Sequence, residues 1–198
     1  FFFKQKTAYE ISTRDWSSDV CSSDLRDQDF AINVEKALSI INQRNVKIIF
    51  LTTPNNPTGT SIPLSQIEKI AEAAFIRNAL VVVDEAYAEF SSCPSASTLI
   101  EKCPNIVVVR TMSKAFAFAG ARVGYLIARP EVVASMQLVR LPYHLSALTQ
   151  AAALAALELA SEMLANVERI IHSREKVAHE LRTLGMTVAP SEIGRAHV

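Results

Sequence analysis

The chain has 198 residues, 20 Lys plus Arg against 20 Asp plus Glu, and 49% hydrophobic residues. It is large enough to bury a core, but its zero net charge gives no electrostatic footprint for nucleic acid or an anionic membrane, and no apolar run is long enough to span a bilayer. Cys21, Cys93 and Cys103 lack metal-type pair spacing and leave one over in any disulfide scheme, so a reducing cytoplasm is the simplest compartment.

In chain order, residues 1–25 show no sustained period, and the Ser/Asp-rich second half reads as disordered. No adequate apolar region succeeds the aromatic start, which excludes a signal peptide. Three short apolar runs come next: Val46 to Leu51, Leu80 to Val83 and Ile106 to Val109. None alternates like a half-exposed antiparallel strand, so they read as parallel strands buried on both faces. Between the first two, Leu64, Ile67, Ile70, Ala71, Ala74 and Phe75 recur at helical spacing, with Ser65 and Glu68 as a capping box. A strand, helix, strand unit with a right-handed crossover is expected.

Further on, Arg122 to Ala128 reads as a strand and Pro130 to Val139 as a short helix. The alanine-rich stretch from Ala147 to Ala160 favours helix by propensity. A longer helix sets Leu164, Val167, Ile170, Ile171, Val177, Ala178, Leu181 and Leu184 on one face, with Gly185 placed as its C-terminal cap. It reads as a connector to another domain, with Glu168, Arg169, Arg174, Glu175 and Lys176 as solvated charge. His172 and His179 lie seven apart on it with no third ligand in view, so no metal site is expected. Neither an internal repeat nor a glycine-rich phosphate loop is found.

The polar segment at the carboxyl end of each apolar run carries the chemistry. The first run leads into Thr52 to Gly59, the second into Asp84-Glu85-Ala86-Tyr87, and the third into Thr111-Met112-Ser113-Lys114. In open α/β sheets ligands bind beyond the carboxyl ends of the strands, so all three clusters fall on the binding edge. Together their residue types match the parts of pyridoxal phosphate. The aldehyde needs a primary amine, for which Lys114 is the candidate. The phosphate needs hydroxyl donors and a fixed cation, which Ser113 and Arg122 offer. The pyridine nitrogen needs a buried, ionised carboxylate, and Asp84 ends a strand. The phenolic oxygen needs neutral donors, and Asn56 and Tyr87 are in reach.

Taken singly, each residue has a plainer reading. Lysines are mostly surface charges, although an unpaired ammonium among Ala115, Phe116, Ala117, Phe118 and Ala119 is costly. Asp84 can cap the next segment, Tyr87 can be a half-buried core residue, and Arg122 and Ser113 an ordinary surface charge and turn residue. The constellation carries the inference.

The segments Pro54-Asn55-Asn56-Pro57-Thr58-Gly59, Asp84 to Phe90 and Arg110 to Phe116 resemble fold-type I, class I/II aminotransferases. Within them the closest resemblance is to the histidinol-phosphate aminotransferase branch, to which Arg140 to Ser146 is also similar. The resemblance implies a three-layer α/β large domain, a mostly parallel sheet flanked by helices, truncated at both ends. It implies Lys114 as the Schiff-base lysine and general base, Asp84 as partner of the ring nitrogen, Asn56 and Tyr87 as partners of the phenolic oxygen, and Ser113 and Arg122 as phosphate holders. It also implies pyridoxal phosphate as cofactor, an amino donor and a 2-oxo acid as substrates, a homodimer, and neither nucleic acid nor membrane as partner.

The resemblance runs from about Phe30 to about Pro190. On this reading residues 26–183 form a partial cofactor-binding large domain with its connector helix, and 184–191 begin a small domain. Residues 192–198 resemble the translation of a sequencing adapter, and 1–25 look like a similar non-native artefact. The glycine-turn phosphate contact, the ring-stacking aromatic, a tyrosine lent by the partner subunit and the carboxylate-binding arginine are expected outside this stretch, so the isolated chain is expected to be inactive. Two other readings stay open: a ligand-sensing domain of a transcription regulator on this fold, and a related decarboxylase.

Overall fold

In the computed structural model, which describes residues 30–142 and 144–194, four strands form one sheet in the order β1-β2-β3-β4. The strands are β1 (Ile48–Thr52), β2 (Leu80–Asp84), β3 (Ile106–Thr111) and β4 (Gly124–Ile127). The first three run parallel, with Thr52 opposite Asp84 and Asp84 opposite Val109. Their carboxyl ends therefore lie side by side, as the apolar runs predict. The last strand is antiparallel to β3, pairing Val108 with Ile127 and Thr111 with Gly124. It starts later than its sequence suggests, because Arg122 has a left-handed backbone with φ 55° that interrupts extended structure.

One sheet face is sealed over β2 and β3, while β4 is exposed along its length. Successive strand side chains point to opposite faces, so Val81 and Val83 of β2 and Ile106 and Val108 of β3 share this side. All four are fully buried, packed with Ile67, Ile70, Ala71 and Ala74 of helix α2 (Leu64–Ile76). Burying each large aliphatic side chain contributes about 1.5–3 kcal/mol. Helix α1 (Val34–Gln43) adds Ala37 and Ile41 to the same core. No sequence pattern singled out this helix, although Asn33 supplies its N-cap by accepting from the Lys36 amide at 2.9 Å.

The opposite face of β1 departs from the expectation of strands buried on both sides. Ile48 is 50% exposed and Phe50 66% exposed, so β1 alternates between covered and open positions. The described residues supply cover on one side of this strand only.

The capping box at the start of α2 is not formed. Pro63 is the N-cap and offers no side-chain acceptor; its carbonyl takes the Ile67 amide at 3.2 Å. Ser65 lies inside the first turn, and Glu68 instead pairs with Lys102 at 2.5 Å.

Three helices come after β4. The first, α3 (Pro130–Val139), has proline in its first turn, where the missing amide costs nothing. The second, α4 (Ala147–Glu158), is capped by Ser146 accepting from the Thr149 amide at 3.0 Å. The third, α5 (Ala160–Thr183), ends as expected: Gly185 has φ +83°, its amide reaches the Arg182 carbonyl, and the Met186 amide reaches that of Leu181. This pattern satisfies two terminal carbonyls.

The eight apolar residues of the long helix do not share one buried face. Val167 and Ala178 are buried, whereas Leu164, Ile170, Val177 and Leu184 are exposed, because only one stripe meets the loops beyond the sheet. That stripe packs Val167 and Ile171 against Phe90, Ala115, Tyr87 and Phe116. Arg174 is likewise not solvated: its side chain is 9% exposed and donates to the Ile193 carbonyl at 3.1 Å.

Of the stretch 192–198, residues 192–194 are described. The Glu192 carboxylate accepts from the hydroxyls of Ser61, Ser91 and Ser92, and Ile193 is fully buried. Residues 1–29, with Cys21, and residues 195–198 lie outside the described residues, as does Tyr143 of the Arg140 to Ser146 segment.

Candidate active site

Each of the three parallel strands delivers one loop to the same edge. The loop after β1 is held by its own backbone: the Asn55 amide donates to the Thr60 carbonyl at 2.8 Å, and the Gly59 amide to the Asn55 carbonyl at 2.7 Å. Closing so tight a loop places Gly59 at φ +75°, a region where a side chain is strained. The loop is tied to the sheet where the Thr53 amide donates to the Asp84 carbonyl at 2.9 Å. The peptide bonds before Pro54 and Pro57 are cis.

Asn56 stands near the middle of this loop, and its side-chain nitrogen lies 3.4 Å from the Tyr87 hydroxyl. Tyr87 is half-buried, its ring centroid 6.1 Å from that of Phe90. From the third strand, the Lys114 ammonium sits 5.3 Å from the Tyr87 ring centroid, within range of a cation–π contact. Asn56, Tyr87 and Lys114 are therefore brought together from three separate strand ends. Lys114 itself is exposed, although Ala115 is buried and Phe116 half-buried. The costly apolar burial expected for its amine is not what the fold provides: Ala117 and Ala119 are exposed as well, and only Ala115 and Phe116 join the cluster around Phe90.

Asp84 closes β2 on the face opposite Val81 and Val83. It is half-buried, and its Oδ1 accepts from the Ala86 amide at 3.0 Å in a local turn, whereas the next helical turn, Ala88–Phe90, has Tyr87 as its N-cap and no side-chain cap. Burial raises its carboxyl above the usual range, and the Ala86 amide opposes that rise. A partly desolvated carboxylate of this kind gains most from a cation beside it.

Ser113 and Arg122 are less directly joined to the group. Ser113 precedes Lys114, and its amide donates to the Thr111 hydroxyl at 3.1 Å. Arg122 is exposed and donates to the Ala119 carbonyl within its own turn at 3.1 Å. The donor set fits pyridoxal phosphate in kind: an accessible primary amine, a desolvated carboxylate, an amide and a phenol in mutual contact, and a serine with an arginine nearby in the chain.

Sequence reading assigned no role to the ion pair beneath this edge. Glu85 is 2% exposed and points to the face opposite Asp84. Its carboxylate accepts from the Ser95 hydroxyl at 2.8 Å, the Ala96 amide at 2.6 Å, and Arg110 Nε and Nη2 at 3.1 and 2.8 Å. Arg110 Nη1 lies 3.4 Å from Glu89 Oε1. Glu89 Oε2 is buried without a hydrogen-bond partner among the described residues. Burial pushes the Glu89 carboxyl up; the backbone and Arg110 oppose that, and Glu85 adds to it. Asp84 and Glu85 are neighbours in sequence, and likewise Arg110 and Thr111. Strand alternation was the available signal that one of each pair turns inward.

Comparison with known proteins identifies the family and the fold. The family model described as aminotransferase class I and II matches residues 7–197. Histidinol-phosphate aminotransferase of Nocardia farcinica is 52% identical over 168 residues, 84% of this chain and 43% of that protein. The enzyme of the same name from Corynebacterium glutamicum strain R is 52% identical, over 84% of this chain and 45% of its own length. The chain thus spans less than half of these curated relatives. Among solved structures, histidinol-phosphate aminotransferase from Sinorhizobium meliloti in complex with pyridoxal-5'-phosphate superposes with TM-score 0.75 at 29% identity, covering 85% of this chain and 46% of that one. A putative histidinol-phosphate aminotransferase from Erwinia carotovora atroseptica gives 0.74 at 31%, covering 85% and 50%. The chain belongs to the class I and II aminotransferase family.

Proposed function

We propose that the protein containing this chain is a pyridoxal phosphate-dependent transaminase that interconverts histidinol phosphate plus 2-oxoglutarate with imidazole-acetol phosphate plus glutamate. The observation that carries this is the meeting of Asn56, Tyr87 and Lys114 from three strand ends, with Asp84 closing the middle strand at the same sheet edge. Curated relatives of that activity, about 50% identical over most of the chain, supply the substrate.

Pyridoxal phosphate, when bound, supplies the sink for the electron pair left at a substrate α-carbon. The chain's own groups have distinct tasks. Lys114 would hold the cofactor through its amine and, as general base, would take up the α-carbon proton on its own side-chain nitrogen. Asp84 pairs with the ring nitrogen and keeps it protonated. Asn56 and Tyr87 orient the phenolic oxygen, while Ser113 and Arg122 hold the phosphate. Residues 26–183 serve as the large domain with its connector helix, and 184–191 as the beginning of a second domain. The whole protein acts as a homodimer in the cytoplasm, on an amino donor and a 2-oxo acid.

The test is to incubate the uninterrupted protein with pyridoxal phosphate, reduce with borohydride and map the modified peptide. A stable adduct at Lys114, absent from Lys114→Ala, supports the reading. An adduct spread over other lysines, or none, overturns it. The uninterrupted protein should form glutamate from histidinol phosphate and 2-oxoglutarate; release of carbon dioxide instead would place it among decarboxylases.

A further inference from the structure

We propose that Arg110 and Glu85, with Glu89 as the second carboxylate, form a positioning device that holds the ends of β2 and β3 at the separation Asp84 and Lys114 need to serve one ring. The inference rests on the function proposed above.

Three observations carry it. The first is placement: Glu85 comes directly after Asp84, and Arg110 lies four residues before Lys114. Ile106, Val108 and Arg110 share one face of β3, as Val81, Val83 and Glu85 share that of β2, so the pair prolongs the core side of the sheet while Asp84 uses the other. The second is saturation. The Glu85 carboxylate receives four donated hydrogen bonds, from two directions, and the Glu85 amide donates to the Val109 carbonyl at 2.9 Å. Both strands and the 3-10 turn at Ala96–Leu99 are thereby tied to one carboxylate. The third is the planar fork: Arg110 spends Nε and Nη2 on Glu85 and Nη1 on Glu89, a division that an ammonium cannot reproduce.

A tie of this kind fixes distance as well as stability. Asp84 is anchored through the backbone one residue from Glu85. Lys114 hangs on a turn whose Ser113 amide bonds Thr111, the residue after Arg110. Loosening the fork frees both strand ends together, and small misplacements at a reacting centre carry large penalties.

The experiment uses the uninterrupted protein with pyridoxal phosphate as probe and the variants Arg110→Met, Arg110→Lys and Glu85→Gln. Folding is monitored by circular dichroism, the adduct at Lys114 by borohydride trapping and mass spectrometry, and the cofactor's visible absorbance is titrated with pH at saturating cofactor. A purely structural tie lowers melting temperature but leaves the absorbance midpoint unchanged once the folded protein is saturated. A positioning role shifts that midpoint and weakens cofactor binding by about tenfold in Arg110→Met, with partial recovery in Arg110→Lys and a smaller effect in Glu85→Gln. Wild-type midpoints and affinity in the variants that fold, or loss of fold in all three, overturn the positioning role. Failure of the wild type itself to form a Lys114 adduct instead overturns the proposed function.

Discussion

The side-chain amide of Asn56 lies 3.4 Å from the hydroxyl of Tyr87, across 31 residues of chain and one strand junction. Two neutral polar groups from different loops meet beside an ammonium, and neither is needed by the apolar core on the other side of the sheet. Tyr87 also packs against the cluster of Phe90, Ala115 and Val167, and under the proposed function a ligand oxygen would share the polar contact.

Tyr87→Phe removes the hydroxyl and leaves the ring against Phe90 and Lys114. Loss of one neutral hydrogen bond costs about 1 kcal/mol, so pyridoxal phosphate binding should weaken on the order of fivefold. The melting temperature should hardly move. Equilibrium binding read by absorbance, beside a thermal melt, checks both halves; a large loss of stability with unchanged binding would make Tyr87 a core residue.

Glu89→Gln tests the buried carboxylate by pH. Burial raises the Glu89 carboxyl above its ordinary 4.5, so ionisation costs more in the folded than in the unfolded state. Below about 4.5 both states hold the proton and the variant should match the wild type. As pH rises through the elevated folded value, the wild type loses stability that the glutamine variant keeps. Urea midpoints from acid to neutral pH should therefore diverge in favour of Glu89→Gln. Divergence the other way would mean that the ionised pair with Arg110 outweighs burial.

Ile70→Ala probes the seal between α2 and the sheet. Ile70 is fully buried among Val81, Val83, Ile106 and Val108, and the deletion should cost about 2–5 kcal/mol, read from denaturant midpoints. Ile70→Val should cost about 0.5–1.5 kcal/mol. Equal effects would mean that the site collapses around the smaller side chain.

Gly185→Ala isolates backbone strain at the end of α5. A methyl group there meets nothing within 4 Å, so only the φ of +83° is penalised. A loss of about 1–2 kcal/mol is expected by urea denaturation. No loss would show that the last turn rearranges freely.

How much of the fold and site is legible in the sequence depends on whether the cause is local. Val81-Val82-Val83 and Ile106 to Val109 read as strands because β-branched runs bounded by polar turns have few other uses, and the polar residues after them mark the binding edge. The Gly185 cap is visible for the same reason. Ser65 and Glu68 have the letters of a capping box, but Pro63 sets the helix start and Lys102, far along the chain, claims Glu68. The Glu85–Arg110 pair depends on strands 25 residues apart being parallel and in one register, which no local pattern states. The exposure of Lys114 is hidden from the sequence because apolar neighbours along the chain say little about which way a turn faces.

The central claim is that Lys114 is the amine that holds the cofactor. Borohydride trapping of the uninterrupted protein with pyridoxal phosphate, then peptide mapping, should give one modified peptide carrying Lys114 and none in Lys114→Ala. A wild-type pattern in that variant, or modification scattered over the surface lysines with Lys114 untouched, would contradict it.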